Sequence, residues 1–156
     1  MSILTEAQAK AILDKVLALS KADECTASLT GSVDGNIRFA LNNVSTSGIV
    51  SNTDLAVQVA FGKRTGVATI NEFDDAALER VVRRAEDLAR LAPENPEFMP
   101  AVEKQTYKPS ATFSESTAAI TPEFRAQVAA ESNAPCKAEK LIAAGFLEDG
   151  QSFVAF

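Results

Sequence analysis

Residues 55–61 read Leu-Ala-Val-Gln-Val-Ala-Phe and form the clearest alternation of side chains in the sequence. Successive side chains of a β-strand point to opposite faces, so this period of two predicts a strand with one buried face. Leu55, Val57, Val59 and Phe61 are the residues expected to be buried. The stretch therefore predicts a sheet that is apolar on one side.

The segments around this strand continue the same period. Residues 25–29 and 37–41 alternate in the same way, and the intervening residues 31–36 read Gly-Ser-Val-Asp-Gly-Asn, which predicts the turn of a β-hairpin. A weaker strand over residues 44–50, a turn over residues 51–54 and an extended segment over residues 67–70 follow. About five strands result. Because short turns join them, the sheet is predicted to be mostly antiparallel.

Two amphipathic helices flank the strand region. The first is predicted over Thr5–Ser20, where Gln8 is placed to complete a capping box. The second is predicted over Asp74–Leu91, with Asp74 or Asp75 as its N-cap. Each helix carries its apolar residues on one stripe, so both are expected to pack on one face of the sheet. These patterns predict an α+β fold with a helical C-terminal extension.

The rest of the chain suggests three regions: an α+β domain over residues 1–98, a connector over residues 99–120 and a helical segment over residues 121–156. Thr121 and Pro122 begin a helix, and a further helix is expected from Cys136 or Lys137 to Ala144. The last residues form an apolar, strand-like run. A complete domain seldom stops inside such a run, so we expect the chain to be a fragment of a longer protein.

Composition excludes several classes of function. The formal net charge is −6, with 15 Lys and Arg dispersed through the chain, which argues against binding nucleic acid. There is no histidine, so His-based triads and typical zinc-hydrolase sites cannot be built from this chain alone. Cys25 and Cys136 form no CxxC motif and are interpreted as small apolar residues. No signal peptide or membrane span is apparent, so the cytoplasm is the expected compartment.

The candidate site lies on a polar strand face. Arg38 and Asn42 are expected on the same face, and Arg64 is expected beside a turn or bulge that Gly62 and Gly66 permit. This surface either faces water or presents Arg and Asn to a peptide or a second subunit. The glycine stretch lacks the Gly-Lys-Ser/Thr ending of a phosphate loop and precedes an extended segment, so it does not predict a nucleotide site.

The acidic pairs of the sequence have simpler interpretations than catalysis. Asp74 and Asp75 are adjacent, as are Glu86 and Asp87. Neighbouring residues of a helix point about 100° apart, so neither pair converges on one metal ion or one bond. Helix capping and a solvated surface account for them. The sequence therefore predicts no catalytic residue and no metal ligand.

The order of segments resembles the N-terminal domain of the TldD/PmbA family from about Leu4 to Phe98. The resemblance rests on the order of an amphipathic helix, residues 38–43 (Arg-Phe-Ala-Leu-Asn-Asn), residues 57–68, Asn71, a second amphipathic helix and residues 92–96 (Ala-Pro-Glu-Asn-Pro). Members of this family are predicted or established metallopeptidases, and some are labelled modulators of DNA gyrase. Arg38, Asn42, Gly62, Arg64 and Gly66 are the residues of this chain that carry the family pattern.

The resemblance implies a cytoplasmic homo- or heterodimer that cleaves unfolded or leader-type peptides. In the metal-binding branch, the zinc ligands follow the N-terminal domain, so zinc is expected only in a longer parent and no cofactor is expected here. The chain is thus predicted to be a non-catalytic domain that contributes to a peptide channel or to dimer contacts. The alternatives are a stand-alone interaction module that binds a partner through its sheet, or an enzyme that works through carboxylates or Cys25.

Overall fold

The computed structural model describes residues 3–103, 105–108 and 110–156. Within these ranges the sheet has four strands in the order β3-β2-β1-β4 and is antiparallel. The fold is therefore α+β, as predicted, with four strands instead of about five. The elements in chain order are α1 (Glu6–Leu19), β1 (Glu24–Ala40), β2 (Asn43–Phe61), β3 (Arg64–Ile70), α2 (Asp75–Leu91), α3 (Glu115–Ala118), α4 (Pro122–Ala138) and β4 (Gly145–Ala155).

The described residues divide into two compact units. The first, here called the core unit, comprises Leu4–Gly31, Asn52–Ser110 and Phe153–Phe156. The second, here called the α4 unit, comprises Ser32–Ser51 and Ala111–Ser152 with the described part of Met1–Ile3. Neither unit is a continuous segment, because β1, β2 and β4 each contribute residues to both. The predicted division of the chain at residue 98 stays a prediction.

The core unit buries the apolar side of the sheet against α1 and α2. Leu55 and Val57 are fully buried, Val59 is almost so, and Phe61 is half-buried against the same cluster, which confirms the predicted face of β2. Helix α2 packs on β3 and contacts α1. The apolar stripes of both helices thus meet one face of the sheet, as their periodicity predicted. The buried helix residues are Ala9, Leu13 and Val16 of α1 and Ala77, Leu78, Val81, Val82, Ala85 and Ala89 of α2.

Both predicted helix starts are confirmed. The Thr5 hydroxyl accepts a hydrogen bond from the Gln8 N–H at 3.3 Å, and the Thr5 N–H donates to Gln8 Oε1 at 2.9 Å. At α2 the cap is Asp74, whose Oδ1 accepts from the Ala77 N–H at 3.0 Å. These side chains satisfy backbone donors that the first turn of a helix cannot pair internally. No helix among the described residues combines the length and apolar composition needed to cross a membrane.

Two predicted turns are wrong, because β1 and β2 are continuous through residues 31–36 and 51–54. The glycines of the first stretch serve close packing instead of chain reversal. A Cβ atom on Gly31 would lie 3.1 Å from Phe153 Cζ, and one on Gly35 would lie 2.6 Å from Arg125 Cζ. The two strands therefore stay extended, and missing side chains make room for residues that lie far away in sequence.

From residue 121 to residue 144, the α4 unit has one helix where the sequence predicted two. The helix start at Thr121 and Pro122 is confirmed, but there is one helix to Ala138 and none from Cys136 to Ala144. Lys140 adopts a left-handed conformation with φ 58°, and the next N–H, of Leu141, donates to the Cys136 carbonyl at 2.7 Å. This Schellman-type closure satisfies the last carbonyls and ends the helix.

Candidate functional site

Arg38 is exposed on β1, as expected for a residue of the polar face. Its guanidinium carbon lies 5.3 Å from the ring centroid of Phe146 on β4, a cation–π distance. Its backbone carbonyl accepts a hydrogen bond from the Ser45 hydroxyl at 3.2 Å. The Arg38 guanidinium thus stacks over an aromatic ring, and its charge remains accessible to solvent.

Asn42 does not share a strand face with Arg38, which corrects the prediction. Strand β1 ends at Ala40, and Leu41 and Asn42 form the true reversal with φ values of 51° and 62°. Asn tolerates this left-handed conformation better than most residues, whereas Leu41, expected to alternate into the core, is 69% exposed in the turn.

The Asn42 side chain anchors this reversal to the segment after α4. Its Nδ2 donates to the Leu141 carbonyl at 2.8 Å, and its Oδ1 accepts from the Ala143 N–H at 2.7 Å. The Asn42 N–H also donates to the Ala143 carbonyl at 3.2 Å. Asn42 therefore fixes the position of the β1–β2 turn, which no short-range signal in the sequence revealed.

The turn role predicted for Gly62 is confirmed. Gly62 has φ 56°, a conformation that glycine adopts without strain, and it lies in the two-residue connection between Phe61 and its β3 partner Arg64. The Gly62 N–H donates to Asp23 Oδ2 at 2.8 Å. This bond ties the turn to the start of β1.

Gly66, by contrast, is not a turn residue. It lies inside β3 opposite Val59, is buried, and has no positive φ. A Cβ atom there would run into the Ala85 carbonyl and the Ala89 backbone of α2. The absence of a side chain thus lets α2 approach β3 closely, and this is the reason for glycine at this position.

Arg64 starts β3 and is 46% exposed. Its Nη1 donates to the Arg90 carbonyl at the end of α2 at 3.4 Å, and its Nε lies 3.8 Å from Glu94 Oε1. Arg64 belongs to the core unit, whereas Arg38 and Asn42 belong to the α4 unit. The structure therefore describes Arg38 with Asn42 in one unit and Arg64 in the other.

A cavity of about 210 Å³ in the α4 unit holds a buried charge that sequence reasoning missed. Arg125 of α4 is 2% exposed, and its Nη1 donates to Asp149 Oδ1 of β4 at 2.6 Å. The Arg125 Nε, which is also buried, has no hydrogen-bond partner among the residues that the structure describes. No local pattern distinguishes Arg125 from an exposed helical arginine, because its partners, Asp149 and Gly35, lie on two different strands.

The cysteines and acidic pairs offer no nucleophile or converging carboxylates. Cys25 and Cys136 are both half-buried and unpaired. Burial raises the pKa of the Cys25 thiol, although a hydrogen bond with Ser20 opposes the change, so the thiolate is disfavoured at neutral pH. Of the acidic pairs, Asp74 caps α2 and Glu86 is buried in a network described below.

Residues 25–89 match a family model described as PmbA/TldA metallopeptidase domain 1. Residues 25–89 are therefore similar in sequence to the first domain of the TldD/PmbA family. The resemblance that the order of sequence segments indicated is thereby confirmed. A comparison with curated protein sequences gave no match.

Solved structures share the TldD/PmbA domain fold over almost the whole chain. TldE from Thermococcus kodakarensis superposes with a TM-score of 0.74 at 14% identity, covering 94% of this chain and 34% of its own. A candidate modulator of DNA gyrase from Thermotoga maritima gives 0.73 at 14% identity, with coverages of 94% and 34%. A protein of the same description from Bacteroides thetaiotaomicron gives 0.72 at 15% identity, with coverages of 97% and 36%. The chain thus spans about a third of the length of these proteins.

A TldD/PmbA metallopeptidase implies a metal ion, and the residues present can be tested against one. Catalytic zinc sites in proteins use histidine, cysteine and carboxylate ligands held together at one point. This sequence contains no histidine, and among the described ranges no three Cys, Asp or Glu residues are grouped to hold a metal. The described residues do not fit a catalytic zinc ion, so no function of this chain is derived from a bound metal.

Proposed function

We propose that this chain is the non-catalytic N-terminal domain of a TldD/PmbA-type metallopeptidase that processes unfolded or leader-type peptides in the cytoplasm. Its role is to contribute a surface to the peptide channel or to the contact with a second subunit of the same family. The match of residues 25–89 to a first metallopeptidase domain is the observation that carries this proposal. Catalysis and zinc, where the whole protein has them, belong to residues outside this chain.

Arg38 is the residue with which we expect a peptide or subunit to make its principal polar contact. Its guanidinium is exposed, and the Phe146 ring at 5.3 Å favours one orientation, so little side-chain freedom is lost when a carbonyl or carboxylate binds. Asn42 is a positioning residue, because its hydrogen bonds to Leu141 and Ala143 hold the adjoining turn. Arg64 is proposed as a second, independent contact.

The expected result is binding without cleavage. A fluorescein-labelled peptide from reduced, unfolded casein should bind the 156-residue chain in an anisotropy titration and remain intact after incubation with added zinc. Arg38→Glu should weaken this binding about fivefold, since it replaces a donor by a repelling acceptor. Asn42→Ala and Arg64→Glu should each give a smaller loss.

Arg84→Glu is the matched control. Arg84 is exposed on α2, and its reversal changes the net charge by the same amount as Arg38→Glu. Equal affinity for the wild type and Arg84→Glu, with a loss for Arg38→Glu, supports a local contact. If both reversals weaken binding equally, the effect is one of net charge and the Arg38 contact is wrong. Chelator-sensitive cleavage by the isolated chain would contradict the non-catalytic role.

A further inference from the structure

The first half of β2 is exposed along its whole length. Every residue from Asn43 to Ser51 is exposed, including Val44, Ile49 and Val50, which are 51%, 53% and 51% exposed. A Cβ atom added to Gly48, near the middle of this run, would meet nothing within 4 Å. We call Asn43–Ser51 the open strand.

The outer backbone edge of the open strand has no partner among the described residues. Strand β3 pairs with β2 only from Leu55 to Phe61, so it ends before the open strand is reached. No backbone hydrogen bond outside the sheet involves residues 43–51 in the described part of the chain. One side of this strand therefore presents unpaired N–H and C=O groups, which are a template for another extended chain.

The open strand also lacks the features with which proteins usually protect an edge. Residues 43–53 contain no charged residue and no proline. Strand β3, at one side of the sheet, is short at seven residues and begins with Arg64. Strand β4, at the other side, carries Glu148 and Asp149. Short length and charge both discourage pairing with another chain, and the open strand has neither protection.

Hydrogen bonds hold the open strand in place before any partner arrives. The Ser45 hydroxyl donates to the Arg38 carbonyl at 3.2 Å, and the Ser47 hydroxyl donates to the Asn36 carbonyl at 3.1 Å. At the turn that leads into the strand, Asn42 is anchored to residues 141–143. A strand fixed in this way loses little conformational entropy when it binds.

We propose that the open strand binds an extended, uncharged segment of an unfolded polypeptide by adding it to the sheet as a further strand. This inference rests on the proposed function and names the mode of recognition: backbone hydrogen bonds supply affinity, and the uncharged side chains of the open strand impose little selectivity. Arg38 lies at the near end of the strand, where Ser45 bonds its carbonyl. The Arg38 guanidinium itself lies over Phe146 of β4, on the other side of β1, so the edge and the Arg38 contact are distinct parts of the α4 unit.

A second copy of the chain is a weaker fit to the same edge. Nine paired residues extend about 30 Å, and a sheet about 10 Å thick gives an interface of roughly 300 Å² per partner. Stable dimers bury about 800 Å² per partner, so this edge is too small to hold two copies together by itself. An extended peptide needs only the strand ladder and the side chains beside it.

A pair of synthetic peptides tests this mode directly. The probe is a capped, fluorescein-labelled decapeptide of four Thr-Val repeats with a lysine at each end. Its twin is N-methylated at two adjacent central amides, which blocks both edges of the extended peptide and leaves charge and side chains unchanged. We expect the twin to bind about fivefold more weakly, since one of its two methylated amides faces the open strand whichever edge pairs, and one lost backbone hydrogen bond costs about 1 kcal/mol. Amide hydrogen exchange should slow within residues 43–51 when the unmodified peptide is bound.

Protein variants locate the site. Val50→Lys adds a charge to the open strand and should weaken binding at least fivefold. Val154→Lys, at a position of β4 that is also more than half exposed, should leave binding within twofold. Equal binding of both peptides overturns edge pairing while the proposed peptide-binding function stands. Binding of neither peptide, together with loss of the casein-peptide signal, contradicts both. A peptide-independent dimer that Val50→Lys abolishes identifies a second copy as the occupant and overturns the inference.

Discussion

Replacing Gly66 by alanine should cost about 3 kcal/mol or more of unfolding free energy, because the new methyl group has no space. It would meet the Ala85 carbonyl and the Ala89 backbone of α2. Backbone atoms of a packed helix cannot rotate away as a long side chain can, so relief requires α2 to separate from β3. Urea denaturation followed by circular dichroism measures the loss, and Gly66→Val should prevent cooperative folding altogether.

Gly48→Ala is the matched control for this experiment. Gly48 is also a strand glycine without a positive φ, but nothing lies within 4 Å of its added Cβ atom. Alanine reduces the freedom of the unfolded chain, so the free energy of unfolding should stay equal or rise by up to about 1 kcal/mol. A Gly66→Ala variant as stable as Gly48→Ala would mean that the backbone of α2 does not pack directly against Gly66 of β3.

Glu86→Ala should destabilise the core unit by about 3 kcal/mol, because it removes the centre of a buried polar network. Glu86 of α2 is 1% exposed; its Oε1 accepts from the Lys21 N–H at 2.6 Å and its Oε2 from Arg83 Nη1 at 2.7 Å. Arg83 in turn donates to the Leu19 carbonyl at the end of α1 at 2.8 Å. Without the carboxylate, the Lys21 N–H and part of the Arg83 charge lose their partners, and the network that joins the two helices is weakened.

The same network makes stability depend on pH. Burial alone would raise the pKa of Glu86, but the Lys21 N–H and the Arg83 guanidinium, together with the charge of Arg90, hold that pKa below its ordinary value. A carboxyl whose folded pKa is lowered adds stability above its unfolded pKa, and this stability disappears as the pH falls through the folded pKa. The stability difference between the wild type and Glu86→Gln should therefore shrink as the pH is lowered from 7 toward 3.

Asp87→Asn controls for general effects of acid and charge. Asp87 is the next residue of α2, but its side chain is 74% exposed. Its replacement should change the free energy of unfolding by less than about 0.5 kcal/mol at every pH, as is usual for a surface ion pair. A constant difference between the wild type and Glu86→Gln from pH 7 to 3 would contradict a lowered pKa for Glu86.

The successful sequence predictions have a common character: each depends on residues close together in the chain. The alternation over Leu55–Phe61 fixes which side of β2 is buried, and Thr5 and Asp74 cap helices through bonds to residues three positions ahead. The Gly62 turn is equally local. In such cases the side-chain period or a short hydrogen bond decides the structure before distant parts of the chain are in place.

The failures share the opposite character. Gly31 and Gly35 look like turn residues, but Phe153 and Arg125, more than eighty positions away, occupy the space that they leave open. Asn42 resembles a strand residue until residues 141–143 bind it. The need for glycine at position 66 comes only from the backbone of α2, which lies where a Cβ atom would be. The exposed run Asn43–Ser51 could be recognised in sequence as uncharged, but not as unpaired, because that depends on where β3 stops.

The sequence by itself determined the α+β class, the buried face of β2, the two helix caps and the resemblance to a TldD/PmbA domain. All of these depend on the local periodicity of side chains or on the order of segments along the chain. Tertiary structure alone decided where the sheet is continuous, which glycines admit a neighbour, how Glu86 joins two helices and which edge is left open. Those features depend on contacts between residues far apart in the chain. Such contacts produce no periodic pattern in the sequence around either residue.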